Sequence, residues 1–124
     1  MKNILIVDND MGFIFWLGEV LIGANYQPWP ACNVSDARNL INSKHSVSPD
    51  LLIVNPALQG ALELITHLRR NQSNLRVMAL GSDNTGALRG VNARLARPTP
   101  SDASTKQKWV RAINRVLSGY KRAA

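Results

Sequence analysis

Short, wholly apolar runs alternate along this chain with longer stretches of helical spacing. Residues 4–7 (Ile-Leu-Ile-Val) form the first run and end abruptly at Asp8, Asn9 and Asp10. A β-branched run with no polar alternation predicts a strand buried on both faces. From about Met11 to Ala24, apolar residues recur at Phe13, Leu17, Val20, Leu21 and Ala24, which predicts a helix closed by Asn25 and Tyr26. Residues 26–32 read as a strand but contain Pro28 and Pro30. Proline has no N–H to give a ladder, so this strand belongs at a sheet edge. Asn33 then serves as a helix cap, with Asp36 in the first turn and Ala37, Leu40 and Ile41 as the apolar stripe.

The alternation continues. Residues 51–54 (Leu-Leu-Ile-Val) predict another fully buried strand. Gly60 precedes a helix with Leu62, Leu64, Ile65 and Leu68 at core spacing. Residues 77–80 predict a fourth strand, and Leu95 with Ala96 a short fifth. A last helix runs from about Asp102 to Tyr120, with Trp109, Ile113, Val116, Leu117 and Tyr120 inward. Five strand–helix alternations predict an α/β domain with a doubly wound five-stranded parallel sheet joined by right-handed crossovers. The proline-bearing strand at an edge selects the order 2-1-3-4-5. Ligands then meet the C-terminal strand ends at the switch between strands 1 and 3, where Asp8, Asn9, Asp10 and Asn55 stand. Between Gly81 and Gly90 only residues 83–89 are left for a shortened fourth helix, with Gly86 inside it.

Composition narrows the picture. With 124 residues, 45% hydrophobic and 19% charged, the chain reads as one globular domain spanning residues 1–124. Its single cysteine, Cys32, allows no internal disulfide and fits a reducing cytoplasm. The four-residue run after Lys2 is too short for a signal-peptide core, and no segment is long and apolar enough to span a bilayer. His45 and His67 lack metal or catalytic spacing, and neither a phosphate-binding glycine loop nor a nucleophile motif occurs. The expectation is a binding module that is not an enzyme and has no membrane partner.

The charge is lopsided. Residues 1–62 carry three basic and five acidic groups, a net −2, whereas residues 63–124 carry twelve basic and three acidic groups, a net +9. Lys108, Arg111, Arg115 and Arg122 repeat on one face of the last helix, with Lys121 beside them and Arg94 nearby. That face is solvated, or it meets an acidic protein or nucleic-acid phosphates. On the first helix Phe15, Gly18 and Ile22 share the face opposite Phe13, Leu17 and Leu21, a candidate partner or homodimer surface.

Residues 4–10, residues 49–56, Gly60 with residues 62–65, Leu68 with Arg69, and Arg97 with Pro98 together resemble response-regulator receiver domains over nearly the whole length. The resemblance implies a flavodoxin-like fold and two-component phosphorelay signalling. It also implies an aspartate acceptor after strand 3, an acid pair holding magnesium, a Thr or Ser after strand 4, and a Lys after strand 5. Carried over, the acid pair falls on Asp8 and Asn9, with Asp10 following. The acceptor falls on Asn55, the hydroxyl on Gly81 with Ser82 next to it, the Lys on Arg97, and the aromatic switch on Arg94. The Arg97–Pro98 bond is cis in the family and expected so here.

These departures matter physically. An amide nitrogen is no nucleophile toward phosphorus. Magnesium wants hard anionic oxygens, so a site with Asn9 and Asn55 should hold it weakly or not at all, and no cofactor is expected. Gly81 has no hydroxyl, and the Arg97 fork does not replace a Lys point charge. The leading expectation is therefore a degenerate, or pseudo-, receiver that binds a signalling protein without phosphorylation. In it Asp8 pairs with Arg97. Two alternatives stay open: nucleic-acid or nucleotide binding by the basic second half, and an atypical acceptor at Asp8 or Asp10.

Overall fold

A computed structural model of the chain describes residues 1–42, 48–81, 91–96 and 105–118. The elements run β1 (Asn3–Val7), α1 (Met11–Gly23), β2 (Gln27–Ala31), α2 (Val34–Asn42), β3 (Leu51–Val54), α3 (Ala61–Asn71), β4 (Arg76–Leu80), β5 (Ala93–Leu95) and α4 (Thr105–Leu117). The five strands make one sheet in the order β2-β1-β3-β4-β5, every pair parallel. The doubly wound order read from the sequence is the observed one. The short helix expected over residues 83–89, together with Ser82, Arg97, Pro98 and Tyr120, lies outside the described residues.

Burial on both faces explains the unbroken apolar runs. Leu5, Val7, Leu52, Val54, Val77 and Ala79 face a layer built from α2 and α3, with Ala37, Leu64, Ile65 and Leu68. Ile4, Ile6, Leu51, Ile53, Met78 and Leu80 face α1 and α4, with Leu17, Leu21, Trp109 and Ile113. Neighbouring residues alternate between the two layers because successive strand side chains point to opposite faces. Phe13 ties the second layer together, its ring 5.5 Å from Trp109 at 57° and 6.2 Å from Trp16.

β2 shows how the prolines are tolerated. The Gln27 N–H donates to the Lys2 carbonyl at 2.9 Å, so odd-numbered residues of β2 aim their N–H groups at β1. Pro28 and Pro30 are the even positions, whose N side faces away from the sheet. Their missing donors cost the ladder nothing.

Three local readings are corrected. Leu62 is half exposed and Ala61 is buried in its place, so the core stripe of α3 is Ala61, Leu64, Ile65 and Leu68. The fifth strand is Ala93–Leu95 and stops before Ala96, set by the pairing of Met78 with Ala93. Ala24 is the half-buried residue that closes α1, and Ile14 is buried instead. Asn25 takes φ 67°, the left-handed conformation that ends the helix.

Candidate functional site

The last rungs of two ladders set the site. The Asp8 N–H donates to the Ala31 carbonyl at 3.1 Å, and the Asn55 N–H donates to the Val7 carbonyl at 2.9 Å. These bonds extend β1 against β2 and β3 against β1 by one residue. Both side chains are thereby held at the C-terminal crest of the sheet, at the switch point. Asp8 is fully buried. A buried carboxylate needs donors around it. Its Oδ1 accepts from the Asn9 N–H at 2.9 Å and from Asn55 Nδ2 at 3.0 Å.

The orientation of the Asn55 amide is fixed from two sides. Its Oδ1 accepts from the Ala57 N–H at 2.9 Å, and only an oxygen can do that. The NH₂ end must therefore face Asp8. Asn55 thus donates into the carboxylate. The contribution of the Ala57 N–H could not be found by carrying over motif positions, because it depends on a turn after β3.

Asp10 has a different occupation. It caps α1, with φ −85° and ψ 97°, and its Oδ1 accepts from the Phe13 N–H at 3.1 Å. Asn9 and Asp10 are both exposed. Gly81 follows β4 at the same crest and has φ 115°, with its N–H donating to the Leu95 carbonyl at 3.0 Å. A Thr in that conformation would be strained. Arg94 is half buried on β5. Ser82 and Arg97 are outside the described residues, so the crest is described at Asp8, Asn9, Asp10, Asn55 and Gly81.

Among the described residues the crest suits a magnesium ion poorly. A cation beside Asp8 Oδ1 would meet the Asn55 NH₂, and Asn9 and Asn55 supply amides where anionic oxygens are wanted. No cluster of three His, Cys, Asp or Glu residues suited to a metal occurs among the described residues.

Two other surfaces carry candidate residues. On α1, Phe15 is 70% exposed and Ile22 63% exposed, as their spacing implies, and Met11 at 63% extends the stripe by one turn. Met11 precedes Phe15 by four residues, a signal present in the sequence but passed over there. Gly18 lies between them, with open space where a Cβ would stand. On α4, Lys108, Arg111 and Arg115 are exposed. An open groove of about 430 Å³, lined by Lys2, Asp50, Gln72 and Arg76 among others, lies at the opposite end of the sheet from Asp8. No described helix is long and apolar enough to cross a membrane.

No protein-family model matches the sequence, and no curated protein matches it. Solved structures do. A protein described as a response regulator from Chloroflexus aurantiacus J-10-fl is 26% identical, with TM-score 0.74 over 94% of this chain and 98% of that one. A CheY-like response regulator receiver domain protein from Methanospirillum hungatei JF-1 is 16% identical, with TM-score 0.76 over 96% of this chain and 95% of that one. The non-phosphorylated HemR receiver domain from Leptospira biflexa is 22% identical, with TM-score 0.73 over 100% and 99%.

Proposed function

The chain has the fold of the response-regulator receiver domains of two-component signalling, and on that premise we propose that it is a pseudo-receiver. It acts by binding a protein partner in the cytoplasm, without phosphoryl transfer, magnesium or catalysis. One observation carries this reading: the side chain at the acceptor position is an amide whose NH₂ donates to Asp8 at 3.0 Å. A receiver works because a carboxylate there attacks phosphorus while a cation neutralises the charge. Here the nucleophile is missing, and the amide proton occupies the place of the cation. In this reading the Asn55 amide supports the Asp8 carboxylate in the resting protein.

The partner-binding face in this reading is the outer side of α1. Met11, Phe15 and Ile22 expose apolar surface that folding does not use. Exposed apolar side chains grouped on one face are a usual mark of an interface. The atypical acceptors fare worse: Asp8 is enclosed by its donors and Asp10 is committed to the helix cap.

The test is a titration of ¹⁵N-labelled protein with magnesium and beryllofluoride, read by amide shifts. The expected result is no saturable shift at Asp8, Asn55 or Gly81. A saturable shift centred on those residues contradicts the proposal.

A further inference from the structure

We propose that the outer face of α4 is a track for the phosphate backbone of double-stranded DNA, bound without regard to sequence. Lys108, Arg111 and Arg115 stand at i, i+3 and i+7, all exposed, on the side away from the buried Trp109, Ile113 and Leu117. At 1.5 Å per residue they span about 10 Å along the helix axis. Residues 105–117 contain no carboxylate, and no carboxylate among the described residues pairs with any of the three cations.

The helix itself accounts for only part of this charge. A cation stabilises the C-terminal end of a helix and opposes the N-terminal end. Only Arg115 lies in the last turn, while Lys106 stands in the first turn, which has no acidic residue, and Lys108 just after it. Lys108 and Arg111 lie outside both terminal turns, where the dipole has little effect, so the dipole accounts only for Arg115.

The chemistry of the face selects the partner. Protein interfaces draw their affinity from apolar and aromatic anchors. Among the described residues, the large exposed hydrophobics are Met1, Met11, Phe15, Ile22 and Leu62, and none is on α4. Single strands are held by aromatic stacking, and no described residue of α4 exposes a ring. A polar, strongly positive surface without anchors suits the backbone of a duplex. The net +9 of residues 63–124 adds long-range attraction of the same sign.

Binding of the full chain to a mixed-sequence DNA duplex, read by fluorescence anisotropy over a salt series, tests this. Three phosphate contacts predict a log–log salt slope of about −2.7, a fall in affinity of about 40-fold between roughly 50 and 200 mM salt. Arg111→Gln and Arg115→Gln should each reduce the slope by about one, whereas Arg70→Gln on α3 should leave it unchanged. Circular dichroism of each variant should match the parent, since all three side chains are exposed. A slope unchanged in the Arg111→Gln/Arg115→Gln double variant overturns the proposal. So does displacement of the duplex by polyglutamate at equal charge concentration, which would assign the face to acidic proteins. Tighter binding to a single strand of equal length overturns it as well.

Discussion

At the scale of single residues, the proposed reading turns on the amide at position 55. Because the Ala57 N–H holds Oδ1, an aspartate in its place would keep that bond and turn its other oxygen toward Asp8 Oδ1, where Nδ2 now stands 3.0 Å away. Two carboxylates at such range repel each other, which disfavours having both ionised. Asn55→Asp should therefore lose about 2 kcal/mol of stability at neutral pH, by loss of a buried hydrogen bond and gain of like-charge repulsion. The deficit should shrink as pH falls and the pair takes up a proton, because the folded variant then binds protons more tightly than the unfolded chain. Magnesium should also restore the variant while leaving the parent unchanged. Thermal unfolding at several pH values, with and without magnesium, checks both. Cys32 offers a second residue-scale test. Its thiol donates to Asp36 Oδ2 at 3.0 Å, and that bond, with a smaller contribution from desolvation and from the Asp36 charge, raises its pKa. The thiolate is the reactive form, so Asp36→Asn should speed alkylation by iodoacetamide at mildly alkaline pH. Equal rates in the two proteins would remove the Asp36 bond from the account.

At the scale of elements, Gly60 marks where backbone and packing meet. It caps α3 with φ 84°, and a Cβ there would come within 3.3 Å of Val34 Cγ1 on α2. Gly60→Ala should cost about 1 kcal/mol from the left-handed conformation alone, and more if Val34 cannot shift. Denaturant unfolding measures this, and an unchanged midpoint would contradict it. Elements of this kind were legible in the sequence where one face or both were buried. Residues 4–7 and 51–54 read as strands because neither face meets water. Pro28 and Pro30 placed their strand at an edge because a missing donor is tolerated only there. Leu62 was misread because its helical spacing is compatible with the core stripe, yet the stripe is centred on Leu64 and Ala61 takes the inward place. Spacing gives the period of a helix and leaves its rotation uncertain by about one residue. The end of β5 was misplaced because its three half-buried residues carry little apolar signal, and pairing with β4 sets it.

At the scale of the whole molecule, topology converts sequence order into a site. The parallel pairing of β1 with β3 brings Asp8 and Asn55, 47 residues apart, to adjacent strand ends. The residues to examine were legible because the switch point follows from the strand order. The amide orientation was not, since it depends on the turn that supplies the Ala57 N–H. The positive φ at Gly81 was equally invisible, because a glycine in a sequence reads only as a missing hydroxyl. Around this crest the molecule divides its surface, with an apolar stripe on α1 and a basic stripe on α4, two neighbouring helices on one side of the sheet. In the proposed reading, the receiver framework is retained while the position to which the resemblance carries the acceptor holds a hydrogen-bonded amide.

The most direct measurement is intact-mass analysis of the protein after incubation with acetyl phosphate and magnesium, repeated on Asn55→Ala and Asp8→Ala. The account predicts that no phosphoryl group is gained by any of the three. A stable phosphoryl adduct on the parent that survives Asn55→Ala and disappears in Asp8→Ala would contradict it.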